Sequence, residues 1–181
     1  EISALTAPRL PELEALYIGG GFPETSAGRL AGNREFRASL KEQVEAGLPV
    51  YAECGGLIYL GESMILDGEE YPLAGVFPVK FGLARKPQAH GYTILETAAP
   101  NPFYPLGAEI RGHEFRYSTV LDWRGGTEKL AFKVKRGVGF LEGRDGLVHR
   151  NVLALYTHVH AVGTPLWAKG LVAEARRRRR G

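Results

Sequence analysis

The chain has 181 residues, of which 44% are hydrophobic, and this apolar content is enough to bury the core of one domain. Eight phenylalanines, eight tyrosines and two tryptophans exclude a disordered chain. The net charge of +3 depends on the consecutive arginines at 176–180. Because no aromatic residue is interleaved with these arginines, we expect a solvated basic tail over 176–181 and no nucleic-acid partner.

The cysteine content and the hydropathy pattern indicate the cellular compartment. The single cysteine cannot form an intramolecular disulfide, which favours a reducing compartment. No stretch approaches the ~20 apolar residues that span a bilayer, and the N-terminus does not resemble a signal peptide. We therefore expect a cytoplasmic protein with no membrane contact. Since the first residue is Glu1 rather than methionine, we also expect a piece cut from a longer polypeptide.

The first half of the chain shows strand and helix patterns in alternation. Residues 13–18 form an apolar strand candidate that leads into a glycine-rich loop at 19–24. Three glycines in succession after a strand indicate a loop whose backbone closely approaches another group. Asn33 is the expected N-cap of a helix that stops at Gly47. The apolar face of this helix is formed by Phe36, Leu40 and Val44.

The most informative residue is Cys54, which lies between a strand pattern at 48–52 and a helix pattern. The predicted turn places the cysteine at a helix N-terminus, where the dipole and free N–H groups stabilise a thiolate. Gly55 and Gly56 permit a tight turn and leave the thiol uncovered. The simpler interpretation, a small buried hydrophobe, does not account for this setting. The predicted helix is apolar at Leu57, Leu60 and Met64.

The second half begins with a β-rich section and returns to an αβ pattern. The strand candidates lie at 73–77, 91–96, 113–120 and 130–134, and a hairpin turn is predicted at 143–146. A buried strand at 152–156 then leads into Thr157–His160, and a final helix follows Pro165. The pattern predicts one α/β domain over 1–175, with a mixed, mostly parallel central sheet flanked by helices.

Reactive groups in such sheets lie at the carboxyl ends of strands, which brings together the loops at 19–24, 53–56 and 157–160. A cysteine nucleophile needs a base, and of the five histidines only His158 and His160 follow a buried strand at that edge. The His-x-His pair could also bind a metal, but no further ligand motif supports this, and we expect no metal. No P-loop or dinucleotide fingerprint is present, so we expect no ATP or NAD site in this chain.

With these residues identified, the chain resembles the glutamine amidotransferase domains of cobyrinic or hydrogenobyrinic acid a,c-diamide synthases. These domains form the corrin-amidating branch of the class I (triad) amidotransferases, whose fold is flavodoxin-like. The resemblance extends from about residue 8 to about residue 175. Its motifs are LYIGGGFPE at 16–24, YAECGGL at 51–57, RGHEFRYS at 111–118 and YTHVH at 156–160.

The resemblance implies that Cys54 is the nucleophile and that His158 activates it. Glutamine would be hydrolysed through a cysteinyl thioester, and the ammonia released would be used for amide synthesis. A partner synthetase domain, normally in the same polypeptide, would use ATP and Mg²⁺ to activate the a and c carboxylates of the corrin in cobalamin biosynthesis. No cofactor is expected in this chain. The candidate oxyanion and substrate-binding groups are Gly19, Gly20, Gly21 and Gly55.

One departure concerns the group that orients His158. Class I amidotransferases usually place a glutamate two residues after the catalytic histidine, and this chain has His160 there. Glu53 and Glu114 are both candidates for the role, and the sequence does not choose between them. His113 and Glu114, a polar pair inside a strand, are more simply explained as a structural network.

Other functions stay open at this point. The acceptor could instead be cobyric acid, sirohydrochlorin or a cell-wall precursor, or the chain could be a cysteine hydrolase of the same superfamily. A non-enzymatic binding module would not need both Cys54 and His158. Because ammonia must reach its acceptor without loss to water, we expect an exposed apolar surface near Cys54 where the synthetase docks. The candidate loops are Phe22–Pro23, 77–83 and 101–106, and a second copy of the chain, forming a homodimer, is the alternative occupant.

Overall fold

A computed structural model describes residues 1–180 and shows two sheets flanked by helices. The helices are α1 (Ala27–Gly32), α2 (Arg34–Glu45), α3 (Gly55–Leu60) and α4 (Leu166–Arg178), with 3-10 turns at Pro23–Ser26 and Thr127–Lys129. The strands are β1 (Leu16–Ile18), β2 (Val50–Glu53), β3 (Ser63–Leu66), β4 (Glu69–Pro72), β5 (Val79–Leu83), β6 (Ala89–Thr97), β7 (Glu109–Arg116), β8 (Ser118–Trp123), β9 (Leu130–Arg136), β10 (Arg144–His149), β11 (Val152–Leu155) and β12 (His158–Val159).

The main sheet has eight strands in the order β1-β2-β11-β10-β9-β6-β7-β12, and the second sheet has four in the order β4-β3-β5-β8. In the main sheet β2 pairs in parallel with β1 and with β11, whereas the remaining neighbours are antiparallel. The expected α/β fold with a mixed sheet is confirmed. Antiparallel pairs nevertheless outnumber parallel ones, because β6, β7 and β9 join through antiparallel neighbours without the crossover helices that parallel pairing needs.

The apolar core lies on both faces of the main sheet. One cluster includes Leu40 and Val44 of α2 and Leu57 of α3. The other is built on Tyr51 and Phe132, and Trp167 of α4 packs against it. The strands β2 and β11 are buried over their whole length, as expected of central strands covered on both faces.

The helix predicted after Asn33 is confirmed as α2. The Asn33 side chain accepts a hydrogen bond from the N–H of Phe36, which is the capping contact that the sequence predicts. Phe36, Leu40 and Val44 are buried, and Gly47 has a φ of +86° just past the helix end.

The structure differs from two predictions near α3, concerning the length of this helix and the strand expected at 73–77. The helix stops at Leu60, and Met64 lies in β3 instead of extending the helix. Residues 73–77 do not form a strand, because their N–H groups bond to the end of α3. Ala74 donates to the carbonyl of Tyr59, and Val76 and Phe77 both donate to that of Leu60. Carbonyls in the last turn of a helix lack partners within it, and this segment supplies them.

The strand predicted at 113–120 is two strands in different sheets. β7 ends at Arg116 in the main sheet, and β8 starts at Ser118 and pairs with β5 in the second sheet. The predicted final helix is present as α4 and continues through Arg178, whose guanidinium donates to the carbonyl of Ala46. Among residues 1–180, no helix is both long and apolar enough to cross a membrane.

Candidate active site

The loops at 19–24, 53–56 and 157–160 meet at one edge of the main sheet. β2 and β11 are parallel neighbours with Glu53 opposite Leu155, so their carboxyl ends lie side by side. The N–H of Cys54 donates to the carbonyl of Leu155 at 2.8 Å. His158 follows at the start of β12, opposite His113 of β7. The sheet therefore brings the candidate nucleophile and the candidate base to the same place.

The glycine-rich loop closes against both of these residues. A Cβ on Gly20 would lie 2.3 Å from Cε1 of His158, and one on Gly55 would lie 2.5 Å from the carbonyl oxygen of Gly21. Side-chain atoms do not tolerate such distances, so the close approach requires glycine at both positions. The close approach predicted for the glycines at 19–21 is found at Gly20, whereas a Cβ on Gly21 would meet nothing within 4 Å. Gly55 lies outside that run, in the predicted tight turn, and is restricted by its contact with the Gly21 backbone.

Cys54 occupies a strained turn between β2 and α3. Its backbone has φ 45° and ψ −100°, a conformation that a residue with a side chain rarely adopts. Backbone strain of this kind is concentrated at functional sites, where it holds a reactive side chain in place. A Cβ on Gly56 would lie 2.5 Å from the carbonyl oxygen of Ile18, so the turn is also packed tightly against β1.

The Cys54 thiol is buried, and its polar contact is a 3.9 Å approach of Sγ to the carbonyl oxygen of Phe115. Within residues 1–180 it forms no hydrogen bond to His158. Burial raises the pKa of the thiol to about 11, and this outweighs the opposing effects of the Gly55 N–H and of Arg116. The expectation of a thiolate stabilised by the helix N-terminus is wrong for this resting structure, because desolvation is the larger effect.

This pKa predicts how Cys54 reacts with a simple alkylating agent. Since only the thiolate reacts, the rate with iodoacetamide is expected to rise about tenfold per pH unit and to continue rising up to about pH 10. Mass spectrometry of the intact native chain measures the rate without ambiguity, because the chain has one cysteine. For the same chain unfolded in urea, the alkylation rate should level off at pH values just above the ordinary thiol pKa of about 8.5. A plateau of the native rate near pH 7 would contradict this prediction.

His158 is held between a second imidazole and a carboxylate. Its ring stacks on that of His113 with centroids 4.9 Å apart and planes inclined by 15°. Its Nδ1 lies 3.8 Å from Oε2 of Glu53. Burial, and then the proximity of His113, lower the pKa of His158. The imidazole is therefore neutral at neutral pH and able to accept a proton.

Of the other candidate supporting residues, neither His160 nor Glu114 forms a hydrogen bond or an ion pair with the His158 ring. The exposed His160 accepts a hydrogen bond from the N–H of Val162 through Nδ1. Glu114 is buried and accepts a hydrogen bond from the N–H of Gly139 at 2.9 Å, which fits the structural role favoured for it from the sequence.

Two buried charged residues near the site, Arg116 and Asp145, were not predicted from the sequence. Arg116 lies over the ring of Tyr156, with its guanidinium carbon 4.0 Å from the centroid. The fully buried carboxylate of Asp145 accepts hydrogen bonds from the N–H groups of Tyr156 and Thr157, immediately before His158. Burial raises the pKa of Asp145 to about 7. The only sequence signal for Asp145 was its place in a predicted hairpin turn, which gave no hint of these contacts.

A cavity of about 20 Å³ lies beside Cys54 and is also lined by Phe22, Glu24, Arg116 and Tyr117. This volume holds about one water molecule, so an amino-acid substrate requires the cavity to open. Among residues 1–180, no group of three or more His, Cys, Asp or Glu side chains is arranged to hold a metal ion.

The three loops expected to form an apolar docking surface differ in exposure. Phe22 is 58% exposed at the rim of the cavity. In 77–83 the side chains of Phe77, Val79 and Phe81 are buried, and in 101–106 Phe103 and Tyr104 are buried. The aromatic residues of these two loops therefore belong to the core, and the exposed large apolar side chains there are Leu83 and Leu106. A docking surface at these loops stays a prediction.

Comparison with known proteins agrees with the resemblance seen in the motifs. Residues 1–165 match the model of the CobB/CobQ-like glutamine amidotransferase domain. The chain is 39% identical over 178 residues to a cobyrinate a,c-diamide synthase of Archaeoglobus fulgidus, covering 98% of this chain and 38% of the relative. It is also 39% identical over 166 residues to the enzyme of that name from Magnetococcus marinus, covering 92% of this chain and 35% of the relative.

Solved structures show the same fold. A glutamine amidotransferase crystal structure superposes with a TM-score of 0.66 at 21% identity, covering 91% of this chain and 80% of the other. The PurLQS structure from Thermotoga maritima gives a TM-score of 0.63 at 16% identity, covering 93% of this chain and 81% of the other. The family match over most of the chain, together with this fold, shows that the chain belongs to the CobB/CobQ-like glutamine amidotransferase domains.

Proposed function

We propose that this domain hydrolyses glutamine at Cys54 and supplies the ammonia for ATP-dependent amidation of the a and c carboxylates of cobyrinic or hydrogenobyrinic acid. The observation that carries the proposal is the placement of Cys54, in a strained turn, at the same sheet edge as a neutral, half-buried His158. The names of the relatives, cobyrinate a,c-diamide synthases, support the choice of acceptor.

The chemistry follows from the protonation states of the two residues. His158 accepts the thiol proton as the Cys54 sulfur attacks the side-chain carbonyl carbon of glutamine, because a thiol with a pKa of about 11 needs a base at neutral pH. The protonated imidazole then gives this proton to the leaving nitrogen, the C–N bond breaks, and ammonia departs. A water molecule, deprotonated by His158, attacks the thioester, and the C–S bond breaks to release glutamate and return the proton to sulfur.

The negative oxygen of each tetrahedral intermediate needs nearby hydrogen-bond donors. The N–H groups of Gly55 and of the Gly19–Gly21 loop are candidates, because Gly55 and Gly21 are packed backbone to backbone next to Cys54. Losing one such donor typically costs about 10²–10³-fold in rate. Phe22 and Tyr117 line the small cavity beside the thiol, and their movement would admit glutamine.

The amidation itself requires a partner. The chain spans 38% and 35% of the length of the two relatives described above. We infer that a synthetase domain in a longer polypeptide binds ATP and Mg²⁺ and activates the corrin carboxylates. The glutaminase domain described here is expected to use no cofactor. The exposed Phe22 beside the Cys54 cavity is a suitable contact for that partner, since ammonia has to pass between the two sites.

The glutaminase proposal predicts covalent labelling by a glutamine analogue. In the full-length synthetase, 6-diazo-5-oxonorleucine is expected to modify Cys54 stoichiometrically and to abolish glutamate release, because the analogue places its electrophile where the amide carbon would lie. Peptide mass spectrometry locates the adduct, and excess glutamine should slow its formation. An unmodified Cys54 in a folded synthetase that is active with ammonium would refute the proposal.

A further inference from the structure

The carboxylate of Glu53 connects three strands of the main sheet beside Cys54. Oε1 accepts a hydrogen bond from the N–H of Val159 in β12 at 3.2 Å. Oε2 accepts one from the hydroxyl of Tyr17 in β1 at 3.2 Å, and it is this oxygen that lies 3.8 Å from Nδ1 of His158. Glu53 is 3% exposed. Its position is therefore fixed by the sheet before any substrate arrives.

No other carboxylate in residues 1–180 lies within ion-pair distance of the His158 ring. Glu114 is engaged by the N–H of Gly139, and His160 by the N–H of Val162. His113 contacts the His158 ring face to face, so it supports the plane of the ring without accepting a proton from it. The sequence did not distinguish between Glu53 and Glu114 as the partner of His158. The position of β12 beside Glu53 makes Glu53 the carboxylate that lies near the His158 ring.

We propose that Glu53 is the positioning residue of His158, holding Nδ1 so that Nε2 is directed to Cys54 and to the departing nitrogen. The proposal rests on the glutaminase function proposed above. A carboxylate at Nδ1 selects the tautomer whose Nε2 can accept a proton, and it stabilises the imidazolium that then forms. The 3.8 Å separation is expected to shorten when that positive charge appears, since contacts in resting sites are commonly loose.

The electrostatics of the pair suit this role. Burial raises the pKa of Glu53 to about 7, although the hydrogen bonds from Val159 and Tyr17 lower it. The titratable groups that face this carboxylate are Tyr17, Tyr51, Tyr104 and His158. The pKa values of the three tyrosines are raised, so these phenols remain neutral near pH 7. As the pH rises through about 7 the carboxylate forms, and glutaminase activity is expected to rise with it.

The test is the Glu53→Gln variant of the full-length synthetase. Its kcat for glutamate release is expected to fall about 10²-fold or more, with KM for glutamine changed by less than about threefold, because the missing charge acts on the base and not on substrate binding. The rise in activity through pH 7 should disappear. The matched control is His160→Gln, which alters the usual class I position, and its kcat should remain within about twofold of the parent.

A second variant keeps the carboxylate and shifts its titration. Tyr17→Phe removes a hydrogen bond that lowers the pKa of Glu53, so the rising limb of the pH profile is expected to move to higher pH. Tyr17 is 46% exposed, and phenylalanine preserves its contacts with Tyr51 and Trp167. A purely structural role for Glu53 would leave the pH limb in place. Folding of this domain in each variant is verified by the iodoacetamide reaction of Cys54, whose rate should keep rising up to about pH 10 as in the parent, because ammonium-dependent amidation reports only on the synthetase domain.

Three outcomes would overturn the positioning role. One is a Glu53→Gln enzyme whose kcat and pH profile match those of the parent. Another is a His160→Gln enzyme that loses as much activity as Glu53→Gln. The third is an unshifted pH limb in Tyr17→Phe. A parent enzyme that releases no glutamate at all would refute the proposed function instead, so the two failures are distinguishable.

Discussion

Replacing Cys54 with alanine in the full-length synthetase is expected to abolish glutamine-dependent amidation and to preserve the reaction with ammonium. Without the thiol no thioester can form, and removal of a catalytic nucleophile typically lowers kcat by about 10⁴-fold or more. Ammonium salt supplies ammonia directly to the synthetase, so that route does not need Cys54. The measurement is ATP-dependent amide formation with each nitrogen source, followed by chromatography of the corrin product.

The Cys54→Ser variant is the matched control. Serine has nearly the same size, so the turn at φ 45° and the packing of Gly55 are preserved. A hydroxyl is a weaker nucleophile than a thiol, so we expect glutaminase loss in this variant too, with the ammonium reaction intact. Equal loss with both nitrogen sources would show that Cys54 has a role outside ammonia production, and the proposed function would have to be abandoned.

The Asp145→Ala substitution is expected to have a large effect on stability. The carboxylate is fully buried and accepts hydrogen bonds from the N–H groups of Gly146, Tyr156 and Thr157. Alanine leaves these donors buried without an acceptor, and each such group costs about 1–3 kcal/mol. We therefore expect the free energy of unfolding in urea to fall by about 3 kcal/mol or more. Glutaminase activity should also fall, because two of these N–H groups, those of Tyr156 and Thr157, lie directly before His158.

Asp122→Ala is the control for this substitution. Its side chain is 47% exposed and pairs with Arg124 at 3.4 Å on the surface, an interaction worth about 1 kcal/mol at most. Equal stability losses in the two variants would refute the importance assigned to the Asp145 hydrogen bonds.

The pH dependence of stability gives a second measure of Asp145. A folded-state pKa of about 7, above the ordinary value of about 3.9, means that the folded chain holds the proton more tightly than the unfolded chain. This group therefore contributes stability that is lost as the pH rises from about 4 to about 7. Asp145→Asn removes that component, so the unfolding free energy of this variant should decline less over the same range than that of the parent.

Much of the site could be predicted from local patterns. A strand followed by Cys54 and two glycines defines a tight strand-to-helix turn, and a buried strand followed by His158 places a second polar loop at the same sheet edge. These predictions depend on periodicity and on glycine conformation, which are local properties. The predictions of a strand at 73–77 and of a single strand at 113–120 were wrong because they depend on non-local contacts. Segments distant in the chain determine with which partner an apolar stretch pairs. Residues 73–77 form hydrogen bonds to the end of α3, and residues 113–120 contribute one strand to each of the two sheets.

The sequence alone determined the α/β class, the glycine-rich loop, the nucleophile candidate and the family resemblance, because short motifs and apolar spacing carry that information. Which carboxylate lies beside His158 depends on strand pairing, because the pairing of β12 with β7 and of β11 with β2 brings Glu53 and Val159 together. The protonation state of the Cys54 thiol also depends on the tertiary structure. A helix N-terminus can be identified from a pattern, whereas the burial that raises the pKa of Cys54 depends on segments distant in the chain that pack around it.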